Sequence, residues 1–387
     1  MMNIDSVSID KDLTTDYEMI FSSSDNYKNQ INYKEQDKKL FREKCPNFKY
    51  YPPIMSAVKR IIAIGDLHGD FDLTIRVLKL AKLIDNNHKW IGGETVVVQV
   101  GDQLDNCRPF DKKCEDPESD TFTSSYSNDE TPEDIKVLEF FTKLNFDAEK
   151  TGGKVISLLG NHEILNVMGN MNYVSYNDVK KFKSYKDNDN PELAFKNPKD
   201  ARIHAFKPGN KYAKDMACTR LPAVIIGSFV FAHAGFINHF MEKMNIKSRN
   251  DLYKISLVMR KWLLNIIDQE NIMNILTHRD SLFWDRVLGS IPPNMSNNHP
   301  DCKKYLKKSL DILEVHSMVI GHTPQSFSSN SGINSTCDNK LWRIDFGGSF
   351  GFNKFDMEYN KNGNIYKIRK AQVLEILNDE TINILSE

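Results

Sequence analysis

Five short polar segments, each at or near the end of an apolar run, constrain this chain more than any other feature. They read Gly65-Asp66-Leu67-His68-Gly69-Asp70, Gly101-Asp102-Gln103-Leu104-Asp105, Gly160-Asn161-His162-Glu163, His233-Ala234-Gly235 and Gly321-His322-Thr323. Runs such as Val58 to Ile64 and Thr95 to Val100 have the apolar, β-branched composition of buried strands. A glycine beside nearly every polar residue lets the chain turn sharply after a strand. The expected arrangement is therefore a sheet protein that carries Asp, Asn and His on strand ends and turns.

These residue types, without cysteine, suit two hard or borderline divalent cations held by oxygen and imidazole nitrogen. A phosphate ester resists hydrolysis because its negative oxygens repel an incoming hydroxide. Two cations ~3.5–4 Å apart clamp those oxygens and acidify a bridging water. Asp66 and His68 alternate along an extended segment and are expected to face one metal. Asp102 is the natural shared carboxylate, and Asn161, His233 and His322 close the second shell. A single segment of this kind is more often a turn, and His88, His204, His239, His278, His299 and His316 stay outside the site because each stands alone.

The ordered segments resemble the calcineurin-like metallophosphoesterases, within them the phosphoprotein phosphatase group and the Shewanella-like protein phosphatases. The resemblance covers about residues 57–378. It rests on Gly160-Asn161-His162-Glu163 running into Ile164-Leu165-Asn166-Val167-Met168, on Phe206-Lys207-Pro208-Gly209 followed by Ala213, on Trp284-Asp285-Arg286 and on Gly321-His322-Thr323-Pro324-Gln325. It implies an α/β fold, a sandwich of two mixed β-sheets flanked by α-helices with the metals at one edge. By resemblance, Asp66, His68 and Asp102 bind the first metal, and Asp102, Asn161, His233 and His322 the second. His162 protonates the leaving oxygen, Asp105 keeps its ring oriented and protonated, and Arg286, with Asn161, contacts phosphate. The implied activity is a metal-dependent protein phosphatase using two divalent ions, manganese, iron or zinc, on a phosphoprotein substrate through a metal-bridging hydroxide. A dinucleoside polyphosphate or RNA-cap hydrolase is the enzymatic alternative, and a catalytically silent phospho-binding module the non-enzymatic one.

One position departs from the family pattern. Where the family carries a phosphate-contacting arginine, the chain has Asn106, in Asp105-Asn106-Cys107-Arg108-Pro109. Phosphate binding must then lean on Arg286 and on one of Arg108, Arg202 or Arg220. The gap is expected to widen the mouth of the site and to favour phosphotyrosine.

At 387 residues the chain has room for two domains, but the motifs span most of it, so one catalytic domain over 57–380 is expected, with loop insertions near 107–131 and 180–210. Residues 1–50 read as a polar extension, partly disordered. A net charge of −1 gives no footprint for nucleic acid or an anionic membrane. No run reaches the ~18 apolar residues of a membrane span, and Leu221 to Phe236 reads as a hairpin broken at Gly227-Ser228. The N-terminus lacks the pattern of a signal peptide, which leads to the expectation of an intracellular, soluble, cytoplasmic protein. Six cysteines in so long a chain are not expected to form a disulfide framework, and Cys107 and Cys114 are read as free thiols, with a redox-closed loop as the minority case.

Overall fold

The structure is a computed structural model, and it describes residues 32–120, 131–325, 332–355 and 370–387. Among the described residues twelve strands form two sheets. The first has the spatial order β12 (Thr381–Ser386), β11 (Gln372–Leu377), β2 (Arg60–Ile64), β3 (Val96–Gln99), β4 (Lys154–Leu158), β5 (Arg220–Leu221). The second runs β1 (Ile54–Met55), β6 (Ala223–Ile226), β7 (Phe229–Ala232), β8 (Ser317–Ile320), β10 (Leu341–Arg343), β9 (Asn334–Thr336). Both are mixed: β2, β3, β4 and β5 are parallel and β11 joins β2 antiparallel, while β7, β8 and β10 are parallel and β6 turns back on β7 at Gly227-Ser228.

Strand alternation explains why the sheets stack. In β6, Val224 and Ile226 join the core shared with the first sheet, whereas Ala223 and Ile225 point into a second core under the helices. Strand β7 divides in the same way, with Phe229 and Phe231 facing inward and Val230 and Ala232 outward. Side chains that alternate and are buried on both faces specify a sheet covered on both sides. The covering helices include Phe71–Leu80 and Glu133–Glu149 on the first sheet and Asp251–Leu263 on the second.

Because the parallel strands of each sheet run the same way, their carboxyl ends collect at one edge of the sandwich. Strands β2, β3 and β4 open there into the first three polar segments, β7 into His233, β8 into His322 and β10 into Asp345.

Several expectations need correction. All six cysteines are paired, as Cys45–Cys218, Cys107–Cys114 and Cys302–Cys337. Count and chain length gave no hint of this, because two of the pairs join residues 173 and 35 apart that only the fold brings together. The polar extension is structured in its last third: the helix Tyr33–Lys44 buries Phe41 and Asp37, Asp37 receives the Arg260 guanidinium at 2.9 Å, and Cys45 bonds to Cys218. The helix Glu133–Glu149 has no side-chain cap at its start, and the N–H of Glu133 goes to Asp178 Oδ1 at 2.8 Å. The insertion near 180–210 is irregular over 185–197 but carries the helix Pro198–Phe206, which packs on the core. Strand β12 was not foreseen, a strand that the sequence also suggests around 365–368 lies outside the described residues, and so do residues 121–130 of the loop expected near 107–131.

Candidate metal centre

The Asp102 carboxylate is the hub. Its Oδ2 lies 3.3 Å from Nε2 of His233, 3.8 Å from Nε2 of His68 and 3.9 Å from Nε2 of His162. Two groups with the spacing of metal ligands share it, His68–Asp102–His162 and Asp102–His233–His322, all buried. Asp66 adjoins the first group, with Oδ2 3.9 Å from His68 Nε2, and Asn161 adjoins the second, its Oδ1 2.9 Å from His233 Nε2. The residues expected at the metals therefore come together, with His162 as a further neighbour of the first group.

The approach is tight, and the backbone shows it. His68, Asp102, Asp105 and His322 all adopt left-handed φ values between 44° and 67°. Such conformations are unfavourable for residues with a Cβ and persist only where the surroundings enforce them. This corrects the extended geometry expected for Asp66 and His68: β2 ends at Ile64, and a turn brings the amides of Leu67 and His68 onto the Asp102 carbonyl at 3.1 and 2.9 Å. A Cβ on Gly321 would stand 2.2 Å from Asp66 Oδ1, and one on Gly160 2.2 Å from Asp102 Oδ1, so only glycine allows these loops to close on the carboxylates.

Glu163 enforces the turn after β3. It is fully buried and accepts four backbone N–H bonds, from Asp102 at 2.8 Å, Gln103 at 2.9 Å, Leu104 at 3.1 Å and Gly160 at 2.7 Å. It stands inside the third segment, yet the sequence reading gave it no role.

Ring orientation suits metal binding. His233 directs Nδ1 to the Val100 carbonyl at 2.9 Å, which leaves Nε2 for the cluster. His322 sends Nε2 to the Trp284 carbonyl at 3.2 Å and presents Nδ1. Carbonyl partners of this kind fix the tautomer of a ligating imidazole. Burial, reinforced by Arg108 beside His68 and Arg286 beside His322, holds both imidazoles well below their ordinary pKa, in the neutral form a metal needs. For Asp102, burial acts upward but His233, His162 and His68 outweigh it, and the carboxyl is held well below its usual range. His233 shows the complement: burial pulls it down, Asp102 outweighs that, and the net shift is upward. The proton so favoured on Nε2 occupies the place a cation would take.

A third carboxylate, unnoticed in the sequence, completes the negative environment. Asp345 follows β10, accepts the Gly347 amide through Oδ1 at 2.9 Å, and keeps Oδ2 buried with no hydrogen-bond partner among the described residues. Burial first, then Asp345 and Asp102, push Asp66 well above the usual carboxylate range. Buried carboxylates with an orphaned oxygen and neutral imidazoles are a donor set that fits divalent cations.

His162 faces the cluster with Nε2 and donates Nδ1–H to Asp105 Oδ2 at 2.7 Å. Asp105 Oδ1 takes the Asn166 amide at 2.8 Å, and Asn166 Oδ1 takes the buried Arg202, whose other partner is Asp134 at 2.6 Å. Arg202 is thus structural. So is Arg220, which binds Gln103 Oε1 and the Leu138 carbonyl. Arg286 is exposed at the edge of the site and donates to the His322 carbonyl at 3.1 Å. Arg108 lies beside His68, Nη2 2.8 Å from Nδ1. Asn106 leaves no gap at the mouth: it is buried and turned to Asp178, Nδ2 to Oδ2 2.6 Å. The histidines set aside stay away from the cluster, with His204 on Asp187, His239 and His278 on Asp280, and His299 on Asp301.

Comparison with known proteins agrees with this geometry. The family model for calcineurin-like phosphoesterases matches residues 59–326. The chain is 38% identical over 260 residues to an uncharacterised protein of Acanthamoeba polyphaga mimivirus, covering 64% of this chain and 98% of that one. It is 29% identical to Shewanella-like protein phosphatase 2 of Arabidopsis thaliana over 76% of this chain and 72% of that one. It is likewise 29% identical to Shewanella-like protein phosphatase 1 of Plasmodium berghei, over 78% and 70%. Among solved structures, the cold-active protein-tyrosine phosphatase of a psychrophilic Shewanella superposes with a TM-score of 0.56 at 19% identity, over 87% of this chain and 83% of that one, a likeness of fold. With the matched segment spanning every polar strand end from Asp66 to His322, the chain belongs to the calcineurin-like phosphoesterase family.

Proposed function

We propose that this protein is a binuclear metal-dependent phosphatase that hydrolyses phosphomonoesters on proteins, with a preference for phosphotyrosine. The observation that carries the reading is Asp102 Oδ2 within 3.9 Å of three imidazole Nε2 atoms, one of them, His162, held from behind by Asp105. In this reading Asp66, His68 and Asp102 hold one ion and Asp102, Asn161, His233 and His322 the other. When bound, the ions, manganese, iron or zinc, supply Lewis acidity toward the phosphoryl oxygens and toward water.

The chain's own residues do the rest. His162 presents Nε2 to the cluster and gives its proton to the leaving oxygen, while Asp105 fixes the ring through Nδ1. Arg286, at the edge beside His322, contributes positive charge for the phosphoryl group. Aromatic rings flank the two imidazoles on the first group's side: Tyr173 lies 5.0 Å from the His162 ring and Phe352 5.3 Å from that of His68. A leaving group protonated by His162 departs past Tyr173, which suits an aryl oxygen better than an alkyl one.

Relatives named as protein phosphatases support a phosphoprotein substrate. Among the described residues no helix is long and apolar enough to cross a membrane. Three disulfides support an oxidising compartment rather than the cytoplasm. The test is turnover of matched phosphotyrosine, phosphothreonine and phosphoserine peptides and of a dinucleoside polyphosphate, with and without manganese. Metal-dependent turnover highest on phosphotyrosine is expected; turnover of the dinucleotide alone, or of nothing, refutes the reading.

A further inference from the structure

Asn106 raises a question that the fold answers two residues later. A phosphatase site needs a cation fork for the phosphoryl oxygens on the side where the leaving group departs. Asn106 is committed to Asp178, and Arg202 and Arg220 are enclosed in structural networks. Arg108 alone of the three candidate arginines reaches the site.

Its position is held from several directions. Nη1 donates to the carbonyls of Asp105 and Cys107 at 3.0 and 2.9 Å, and the guanidinium lies 4.8 Å from the centre of the Phe352 ring and 5.8 Å from that of Tyr173. The backbone it grows from is fixed by the Cys107 amide on the Tyr173 carbonyl at 3.1 Å and by the Cys107–Cys114 bridge. The same Tyr173 and Phe352 rings touch His162 and His68, so Arg108 stands beside the gap between those two imidazoles. Of its five N–H donors, Nε and one on Nη2 have no acceptor among the described residues.

The contact with His68 is a poor resting place for the remaining donor. Nδ1 of His68 lies 2.8 Å from Arg108 Nη2 and 3.3 Å from the Leu104 carbonyl, and one nitrogen cannot both accept from the first and donate to the second. When Nε2 serves as a ligand, Nδ1 carries the proton and points it to Leu104. Arg108 Nη2 then faces a like donor and needs an anion.

We propose that Arg108 is the phosphate-binding residue on the leaving-group side of the site, taking over from position 106 the task performed by an arginine elsewhere in the family. The assignment rests on the phosphatase reading above and names a residue that determines how that site grips phosphate.

The test is calorimetric titration of the manganese-loaded protein with inorganic phosphate, alongside KM and kcat for an aryl phosphate and the bound-metal stoichiometry. Arg108→Ala should weaken phosphate binding by about ten- to a hundredfold, the loss of a charge-assisted hydrogen bond or two, with KM rising and metal content unchanged. Arg108→Lys, which keeps the charge and loses the fork, should fall between alanine and wild type, and it serves alone if the alanine variant does not fold. Arg279→Ala, a surface arginine paired only to Asp280 at 3.6 Å among the described residues, should leave phosphate affinity as it is. Native phosphate affinity in the Arg108 variants overturns the proposal. So does loss of metal, which would make Arg108 a support for His68. A wild type that binds phosphate through Arg108 and yet hydrolyses no phosphomonoester would refute the phosphatase reading and leave this assignment standing.

Discussion

Asp105 Oδ2 lies 2.7 Å from His162 Nδ1, and the other Asp105 oxygen is held by Asn166, so the imidazole is fixed from a buried carboxylate that is itself fixed. His162→Asn should slow turnover by about 10²–10⁴-fold while metal content stays intact. Asp105→Asn, which offers a donor where an acceptor is needed, should act through the same ring, and the double variant should be little worse than His162→Asn alone. The deficit should shrink along a series of aryl phosphates with better leaving groups. An equal deficit across the series would argue against proton donation.

Asp102→Asn removes the one charge that faces His68, His162 and His233 together. Both metals should be lost or bound far more weakly, with activity nearly abolished. Elemental analysis after dialysis checks this, and two retained metals with near-wild-type turnover would rule out the shared-carboxylate role.

Glu163→Gln should destabilise the fold as well as the site. The glutamine amide nitrogen turns donors toward backbone N–H groups that now find an oxygen, leaving at least one of four buried donors unpaired. A cost of about 1–3 kcal/mol per unpaired group sets the scale. Urea unfolding of the metal-free proteins measures it; equal midpoints for wild type and variant would show that the loop is held by other contacts.

Stability should also carry a pH signature from Asp178. Burial, then the neighbouring Asp134, pushes its carboxyl from 3.8 to about 7. The folded protein keeps a proton there that the unfolded chain releases near its ordinary value, so this stabilisation is complete below ~pH 4 and is lost as pH rises toward ~7. Asp178→Asn should remove that part of the slope. A wild type and variant whose unfolding midpoints differ by the same amount at every pH between those limits would contradict it.

Much of the site was legible because it depends on local chemistry. Strand, glycine and ligand fall within a few residues of one another, so Asp66, His68, Asp102, Asn161, His233 and His322 could be placed on strand ends before any sheet order was known. The hairpin delivering His233 was legible for the same reason: an apolar run interrupted by Gly227-Ser228 has one economical folding. What stayed hidden depends on distance along the chain. Asp345 follows a three-residue strand and resembles any aspartate until the second sheet lays it beside Asp66. Glu163 sits in the first turn of the helix Asn161–Val167, and its role appears only when the Asp102 loop folds over it. The disulfides and the helix Tyr33–Lys44 were missed because their partners, Cys218 and Arg260, lie far downstream. Asn106 misled: absence of an arginine implied a wider mouth, whereas Asp178 draws the asparagine inward.

The division of the proposed ligands between the sheets has a mechanical consequence. Asp66, His68, Asp102 and Asn161 leave one layer, whereas His233 and His322 leave the other, so an ion held by both sets acts as a clasp across the seam of the sandwich. The bulky residues in that seam, Phe229, Phe231 and Trp342, then act as shims that gauge the separation of the two half-sites. Thinning one shim, as in Phe231→Leu, would be felt first as a change in metal affinity at the rim, well before the layers come apart. In the binuclear reading proposed above, the core would in that sense tune the site from a distance.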